Sequence, residues 1–184
     1  YRYIFSLRNK VCIMATNLKF ISSIESITNV STVSMDNVFS SEYDVYYLTV
    51  TGFEPQLAEE LGFRLINSSG SALSGSNYDV ASLTLQTSGS FIQANETNQD
   101  KWKYGGYAPA TSNTGIGVSM FIYNPFDSSS YTFARLQSTQ GHNQYIGRKN
   151  MYVYKVAEST RGLVFTNNGN YNMDILKASI YGVK

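Results

Sequence analysis

Tyr123-Asn-Pro-Phe-Asp-Ser-Ser-Ser-Tyr-Thr-Phe133 is the stretch that decides how this chain folds. An alternating apolar run, Val118, Met120 and Ile122, leads into it; a polar turn containing Pro125 follows, and a second run opens at once with Tyr131 and Phe133. Two alternating runs around such a turn are a β-hairpin signature. The same grammar of aromatic or β-branched alternation closed by an Asn, Ser or Gly turn recurs through most of the chain. Residue types that enzymes use for chemistry are scarce beside it.

Composition points the same way. The 184 residues are 14% aromatic, with 15 tyrosines, and only 15% charged. Aromatic and β-branched side chains fit half-buried pleated surfaces, so this balance favours sheet. The length suits one core and one domain. A net charge of +1 with scattered Lys and Arg leaves no basic stripe for nucleic acid. No run of about 18 apolar residues is present to form an ordinary transmembrane helix. Cys12 is the single cysteine, so no internal disulfide forms, and its simplest role is that of a small apolar side chain beside Val11 and Ile13. Met14-Ala-Thr-Asn17 reads like a translation start. Residues 1–13 are accordingly expected to be an N-terminal arm or extension, and 14–184 a single β-sandwich domain.

Working outward from the hairpin, strands are expected at Leu18–Ile21, Thr28–Met35 and, most strongly, Tyr43–Thr51. The last carries apolar residues on both faces, which predicts a central strand covered on both sides and ended by Gly52. Glu54–Glu60 reads as a short helix opened by Pro55 or as a loop. Leu61–Ile66 is a strand closed by the turn Asn67-Ser-Ser-Gly70, and 71–77 is a polar loop. Tyr78–Gln86 is strand, or one helical turn leading into strand. The span 87–113, with Trp102, Tyr104 and Tyr107 among glycines, is expected to be a long exposed excursion. Further strands are predicted at Ile116–Tyr123, Tyr131–Gln137, Asn143–Val156, Gly162–Thr166 and Ile175–Val183. Eight to ten short strands without intervening helices predict an all-β, antiparallel, jelly-roll-like sandwich.

Catalytic constellations are hard to assemble from these residues. His142 is the sole histidine and lies in the polar stretch Gln140-Gly-His-Asn143, with no nucleophile elbow in the chain. One His and one Cys do not make a zinc site. Glu42 and Asp44, projecting on the same side of a strand, are a carboxylate pair that glycoside hydrolysis could use, and a solvated strand entrance is the simpler reading, as a wet helix face is for Glu59-Glu60. Asp36, Asn37, Glu42 and Asp44 match no calcium-loop spacing. Gly115-Ile-Gly117 lacks the third glycine of a phosphate cradle. Asn29, Asn67 and Asn95 each open a glycosylation triplet, which chance supplies in so Asn- and Ser-rich a chain. No catalytic residue, metal ligand or cofactor is therefore expected. Trp102, Tyr104 and Tyr107 are the candidate interface or glycan contacts, because aromatic faces between glycines stack on sugars or anchor interfaces. The competing reading is that they are buried and pin the long loop to the sandwich.

The set Asn37-Val-Phe-Ser-Ser-Glu-Tyr-Asp-Val-Tyr46, Phe63-Arg-Leu-Ile-Asn-Ser-Ser-Gly70, Asn77-Tyr-Asp79, Ile122-Tyr-Asn-Pro-Phe126, Ser130-Tyr-Thr-Phe133 and Ile180-Tyr-Gly-Val183 resembles a family of small virion structural proteins from tailed, chiefly marine, bacteriophages. The resemblance runs from about Met14 to the C-terminus and brings no catalytic residues. It implies a tail fibre or appendage subunit or a capsid decoration, located in the extracellular virion. Its implied partners are copies of itself in a homo-oligomer such as a trimer, other virion proteins and a host-surface glycan. A carbohydrate-binding module using Trp102, Tyr104 and Tyr107 is the alternative, and a glycan-cleaving enzyme resting on Glu42 and Asp44 a third, weaker one.

Overall fold

The computed structural model describes residues 17–25, 27–110, 116–142 and 144–184, with the side chains of His142 and Gln144 not included. The expected arm at 1–13, with Cys12, and the possible start at Met14 lie outside the described residues. The chain is an all-β antiparallel sandwich, and the hairpin read from residues 118–133 is at its centre.

Among the described residues twelve strands form: β1 (Leu18–Ile24), β2 (Val33–Met35), β3 (Val45–Pro55), β4 (Glu59–Asn67), β5 (Tyr78–Gln86), β6 (Phe91–Gln99), β7 (Tyr107–Ala108), β8 (Ile116–Tyr123), β9 (Thr132–His142), β10 (Gln144–Tyr154), β11 (Thr160–Asn167) and β12 (Met173–Val183). One sheet has eight strands in the order β1-β12-β3-β8-β9-β10-β5-β6; the other has four in the order β2-β11-β4-β7. Every pairing is antiparallel.

The strand alternation does the sorting. On β3, Tyr46, Leu48 and Val50 are buried between the sheets, as are Met120 and Ile122 on β8 and Ile180 on β12. From the small sheet Leu61, Phe63 and Leu65 of β4 and Leu163 and Phe165 of β11 meet them in one core. At about 25 cal/mol per Å² of apolar surface, these fully buried large side chains are the main stabilising term. The Pro125 turn ties the two sheets together: its carbonyl accepts from both the backbone N–H (2.8 Å) and the hydroxyl (2.6 Å) of Thr160 on β11.

Several expectations are corrected. Gly52 does not end β3, which runs on to Pro55 by absorbing a register shift against β12 between Lys177 and Ala178. Nor is β3 covered on both sides: Val45, Tyr47 and Thr49 face outward and are only half-buried by their neighbours. Residues 54–60 hold no helix; they finish β3, turn and begin β4. Of 28–35 only Val33–Met35 is strand, with Val30 making a single bridge to Met173.

The largest correction is the long excursion. Residues 91–99 form β6, paired with β5, and Trp102 is 1% exposed. Its indole stacks on Tyr152 at 5.4 Å and meets Tyr78 edge-on at 5.8 Å, while its ring N–H donates to the Val153 carbonyl at 3.1 Å. The backbone of Trp102 also exchanges hydrogen bonds with Phe63 at 2.9 and 3.0 Å. The sequence pattern faded here because the segment after β6 pairs for only a residue or two at a time.

Trp102→Ala should therefore cost about 3–5 kcal/mol of stability, as large-to-small changes of buried aromatics do. Urea unfolding of the variant and the parent chain measures it; a loss under about 1 kcal/mol would mean the indole is not packed as described.

Candidate functional site

Four strands cannot cover eight. Beyond β8, the inner face of the large sheet is apolar at one end, with Tyr78, Leu136, Tyr152 and Tyr154, and polar at the other, with Ser82 and Thr84 of β5, Ser138 and Gln140 of β9, and Arg148 and Asn150 of β10. The polar residues are neighbours by register, since Arg148 lies opposite both Ser138 and Thr84, and Asn150 opposite Ser82. A polar block thus sits where a sandwich usually holds apolar side chains.

The 101–108 segment closes over this block. Gly105 lies so flat on β4 that a Cβ there would come within 2.6 Å of the Phe63 ring and 2.7 Å of the Leu61 carbonyl oxygen. Gly106 has a φ of 142°, open to glycine alone at low cost. The segment's carbonyls then serve the block: the Asn150 amide donates to Tyr104 O (2.6 Å) and to the Tyr152 hydroxyl (2.8 Å), and that hydroxyl donates to Lys103 O (2.8 Å). Gln140 accepts from the Tyr107 backbone N–H.

Charges in and around the block come in pairs. Arg148 donates to Glu60 at 2.5 Å, both side chains being largely hidden from solvent, and its guanidinium lies 5.6 Å from the centre of the Tyr104 ring. Burial raises the Glu60 carboxyl above the ordinary range despite the opposing pull of Arg148. Glu96 accepts from Lys103 (2.7 Å) and from the Tyr104 hydroxyl. Burial first, then that bond to a carboxylate, push the Tyr104 phenol up to about 12. Asp100 is held by Arg64, and buried Lys101, its ammonium made more acidic by desolvation, donates to Asn167 O at 3.2 Å. Ser82 Oγ, Ser138 Oγ, Gln140 Nε2, Arg148 Nε and Asn150 Oδ1 have no hydrogen-bond partner among the described residues; buried polar atoms of this kind are commonly satisfied by ordered water. With its described acids and bases paired, the arrangement can hold water and fix the 101–108 segment, and among the described side chains it presents no free base beside a nucleophile.

The sequence-selected residues separate here. Trp102 is in the core, Tyr104 is half-buried and bonded to Glu96, and Tyr107 is half-buried in β7. They do not make one exposed aromatic face, and the buried-pin reading describes Trp102. Glu42 is bound by Lys19 (3.3 Å) and the Tyr43 hydroxyl (2.8 Å), the latter being the main reason its carboxyl stays below the usual range. Asp44 lines a small depression with Asp127 and Asn124, to whose lining Glu42 does not contribute. Asp36 pairs with Arg161. His142 ends β9 rather than sitting in a turn, and its side chain lies outside the described residues, as does Gly115. Among the described residues, no group of three or more His, Cys, Asp or Glu is placed to hold a metal ion.

Sequence reasoning missed the outer face of the large sheet. Strand register places Phe20, Tyr181, Tyr47, Phe121, Arg135, Met151, Ala81 and Asn95 in one transverse row. The rings follow one another at 5.8 Å (Phe20 to Tyr181), 6.3 Å (Tyr181 to Tyr47) and 4.8 Å (Tyr47 to Phe121), and the Arg135 guanidinium sits 5.6 Å from the Phe121 ring centre. Phe20 is 57% exposed and Met151 69%. The next row, Leu18, Val183, Val45, Tyr123, Phe133 and Val153, is apolar too, whereas the row on the other side runs Ser179, Thr49, Ser119, Gln137, Lys149. Each strand's alternation was visible in sequence, but the row exists only once the register is known.

No protein-family model matches the chain, and a search of curated proteins returned no match. Among solved structures, the chain is similar to a marine PL-14 alginate lyase from Aplysia kurodai, with 10% identity over 88% of this chain and 80% of that one, at a TM-score of 0.36. A fructofuranosidase variant from Schwanniomyces occidentalis, solved with fructosylnystose, follows at 5% identity over 88% of this chain and 35% of that one, TM-score 0.18. Likenesses this slight carry neither a detailed fold nor an activity across.

Glu60 gives the block a pH signature. Its folded-state proton affinity exceeds the unfolded one, so the folded chain binds more protons just above the ordinary carboxylate range and stability falls as pH rises through that window. Glu60→Gln should remove this decline while Asp79, Glu96 and Asp100, all lowered, still weaken the fold in acid. Denaturation midpoints of the two chains between pH 4 and 7 test it; parallel curves would show that Glu60 is not buried as described.

Proposed function

We propose that this chain is a non-enzymatic structural subunit that assembles through the outer face of its eight-stranded sheet, in a tailed-bacteriophage virion of the kind its sequence motifs resemble. The observation that carries the reading is the aromatic row Phe20, Tyr181, Tyr47 and Phe121 beside a second apolar row. A contiguous apolar band of this kind, bounded by polar residues, marks an interaction surface rather than a solvated one. Aromatic rings with one cation, Arg135, laid across them are the residue types that dominate interface energies. The paired charges of the polar block support a scaffold role in the same sense.

A carbohydrate-binding module is the second reading. It is favoured by a depression of about 350 Å³ on the same face, where Phe133 and Met151 meet Asn95 and Asp79. Rings for sugar faces next to amide and carboxylate groups for hydroxyls suit a glycan. Calorimetric titration of the isolated chain with neutral and acidic oligosaccharides tests this second reading: binding that Phe133→Ala abolishes supports it, and no heat at millimolar ligand overturns it.

Light scattering at tens of micromolar should give a mass above one chain, and the double change Tyr47→Ser with Phe121→Ser should weaken association at least tenfold with a modest change in melting temperature. Mass spectrometry of purified virions from the natural source should find the chain. A one-chain mass for the parent protein would overturn assembly; its absence from every particle would overturn the virion role.

A further inference from the structure

Among the described residues the eight-stranded sheet ends on one side in β6, which pairs there with β5 alone. The phase of its hydrogen bonds follows from the hairpin: the Gln86 N–H donates to Ser90 O at 3.1 Å, which makes 86 and 90 a bonded pair. Bonded and non-bonded pairs alternate in an antiparallel ladder. Ile92, Ala94 and Glu96, opposite Thr84, Ser82 and Val80, are then the residues bonded to β5. Phe91, Gln93 and Asn95 turn their N–H and C=O groups to the open side.

Natural edge strands are blunted by lysine, proline, bulges or short length. β1, at the other end of the sheet, carries Lys19 and a register shift between Phe20 and Ser22, and the edges of the small sheet, β2 and β7, have three and two residues. β6 has none of these devices from Phe91 to Asn95. The segment Phe-Ile-Gln-Ala-Asn has no charge and no proline, and its register with β5 is unbroken from Phe91 through Glu96. The one charge on the strand, Glu96, is engaged by Lys103 and Tyr104 on the inner face. Phe91 is 71% and Ile92 47% exposed, on opposite faces of the strand.

We infer that β6 is a self-pairing edge, at which two copies of the chain join antiparallel about a two-fold axis through Gln93 so that their large sheets become one. The inference rests on the assembly reading above and adds a second contact to it. An open row of backbone donors and acceptors is satisfied in full only by another extended strand, and a two-fold axis lets one strand serve as its own complement. With Gln93 opposite its own copy, Phe91 faces Asn95 and Ile92 faces Ala94 of the second chain, so both exposed apolar side chains gain cover. Glu96 falls opposite Ser90, and no like charges meet. The second copy is thus compatible in charge as well as in hydrogen bonding, and the aromatic face is left free for other neighbours.

Gln93→Pro is the test, because it removes one outward N–H and leaves the ladder to β5 intact; proline is tolerated at such edge positions. By light scattering and native mass spectrometry of the full chain it should raise the dissociation constant at this contact at least tenfold, with the melting temperature within a few degrees of the parent. Gln93→Lys sets two ammonium groups face to face at the axis, so it should weaken association at low salt and recover at high salt, a dependence that a folding defect would not produce. Should Gln93→Pro fail to fold, Gln93→Lys decides alone. Parent-like, salt-independent association in Gln93→Lys, or in both variants, overturns the edge while leaving assembly through the aromatic face standing. A parent chain that is already a monomer at tens of micromolar overturns both.

Discussion

The mismatch between an eight-stranded and a four-stranded sheet is the constraint on which the rest of the structure depends. Strands lie about 4.8 Å apart, so the small sheet covers roughly half the width of the large one. Over that half the core is an ordinary interdigitation of Tyr46, Leu48, Met120 and Ile122 with Phe63, Leu65, Leu163 and Phe165. Over the other half something else must close the inner face. The 101–108 segment does so, driving Trp102 between Tyr78 and Tyr152 as an anchor and lying flat through Gly105 and Gly106.

That closure explains the polar block. A segment with little regular pairing brings backbone carbonyls and N–H groups into the interior, and each needs a partner. Asn150, Tyr152 and Gln140 supply them from β9 and β10, and the Arg148–Glu60 pair bridges β10 to β4 across the same space. Breaking one member of such a buried pair leaves an uncompensated charge, so Arg148 and Glu60 hold β10 and β4 in register around the 101–108 segment.

The outer face shows the complementary effect. Apart from Arg135, residues that alternate with the core on β3, β8, β9 and β12 are aromatic or apolar over two rows and hydroxyl-bearing or amide-bearing in the next, so one sheet surface is divided into an apolar and a polar band. With only 15% charged residues in the chain, few charges are available to solvate the apolar band, and association is the physical outlet we propose for it.

Alternation by itself determined the fold class and most strands, including the β8–β9 hairpin, because a period of two is a local property that each strand writes into its own residues. It also limited the catalytic options to a handful of residues, of which Glu42 proves to be engaged by Lys19 and Tyr43. Tertiary structure decided the rest. Trp102 looked like an exposed loop aromatic because nothing near it in sequence buries it; Tyr78 and Tyr152, which do, lie 24 and 50 residues away. Likewise the row from Phe20 through Tyr181, Tyr47 and Phe121 joins four separate strands, and the open groups of β6 depend on which strand stands last in the sheet. Register and strand order are relations between distant segments, fixed by packing of the whole core, and no single stretch of sequence contains them.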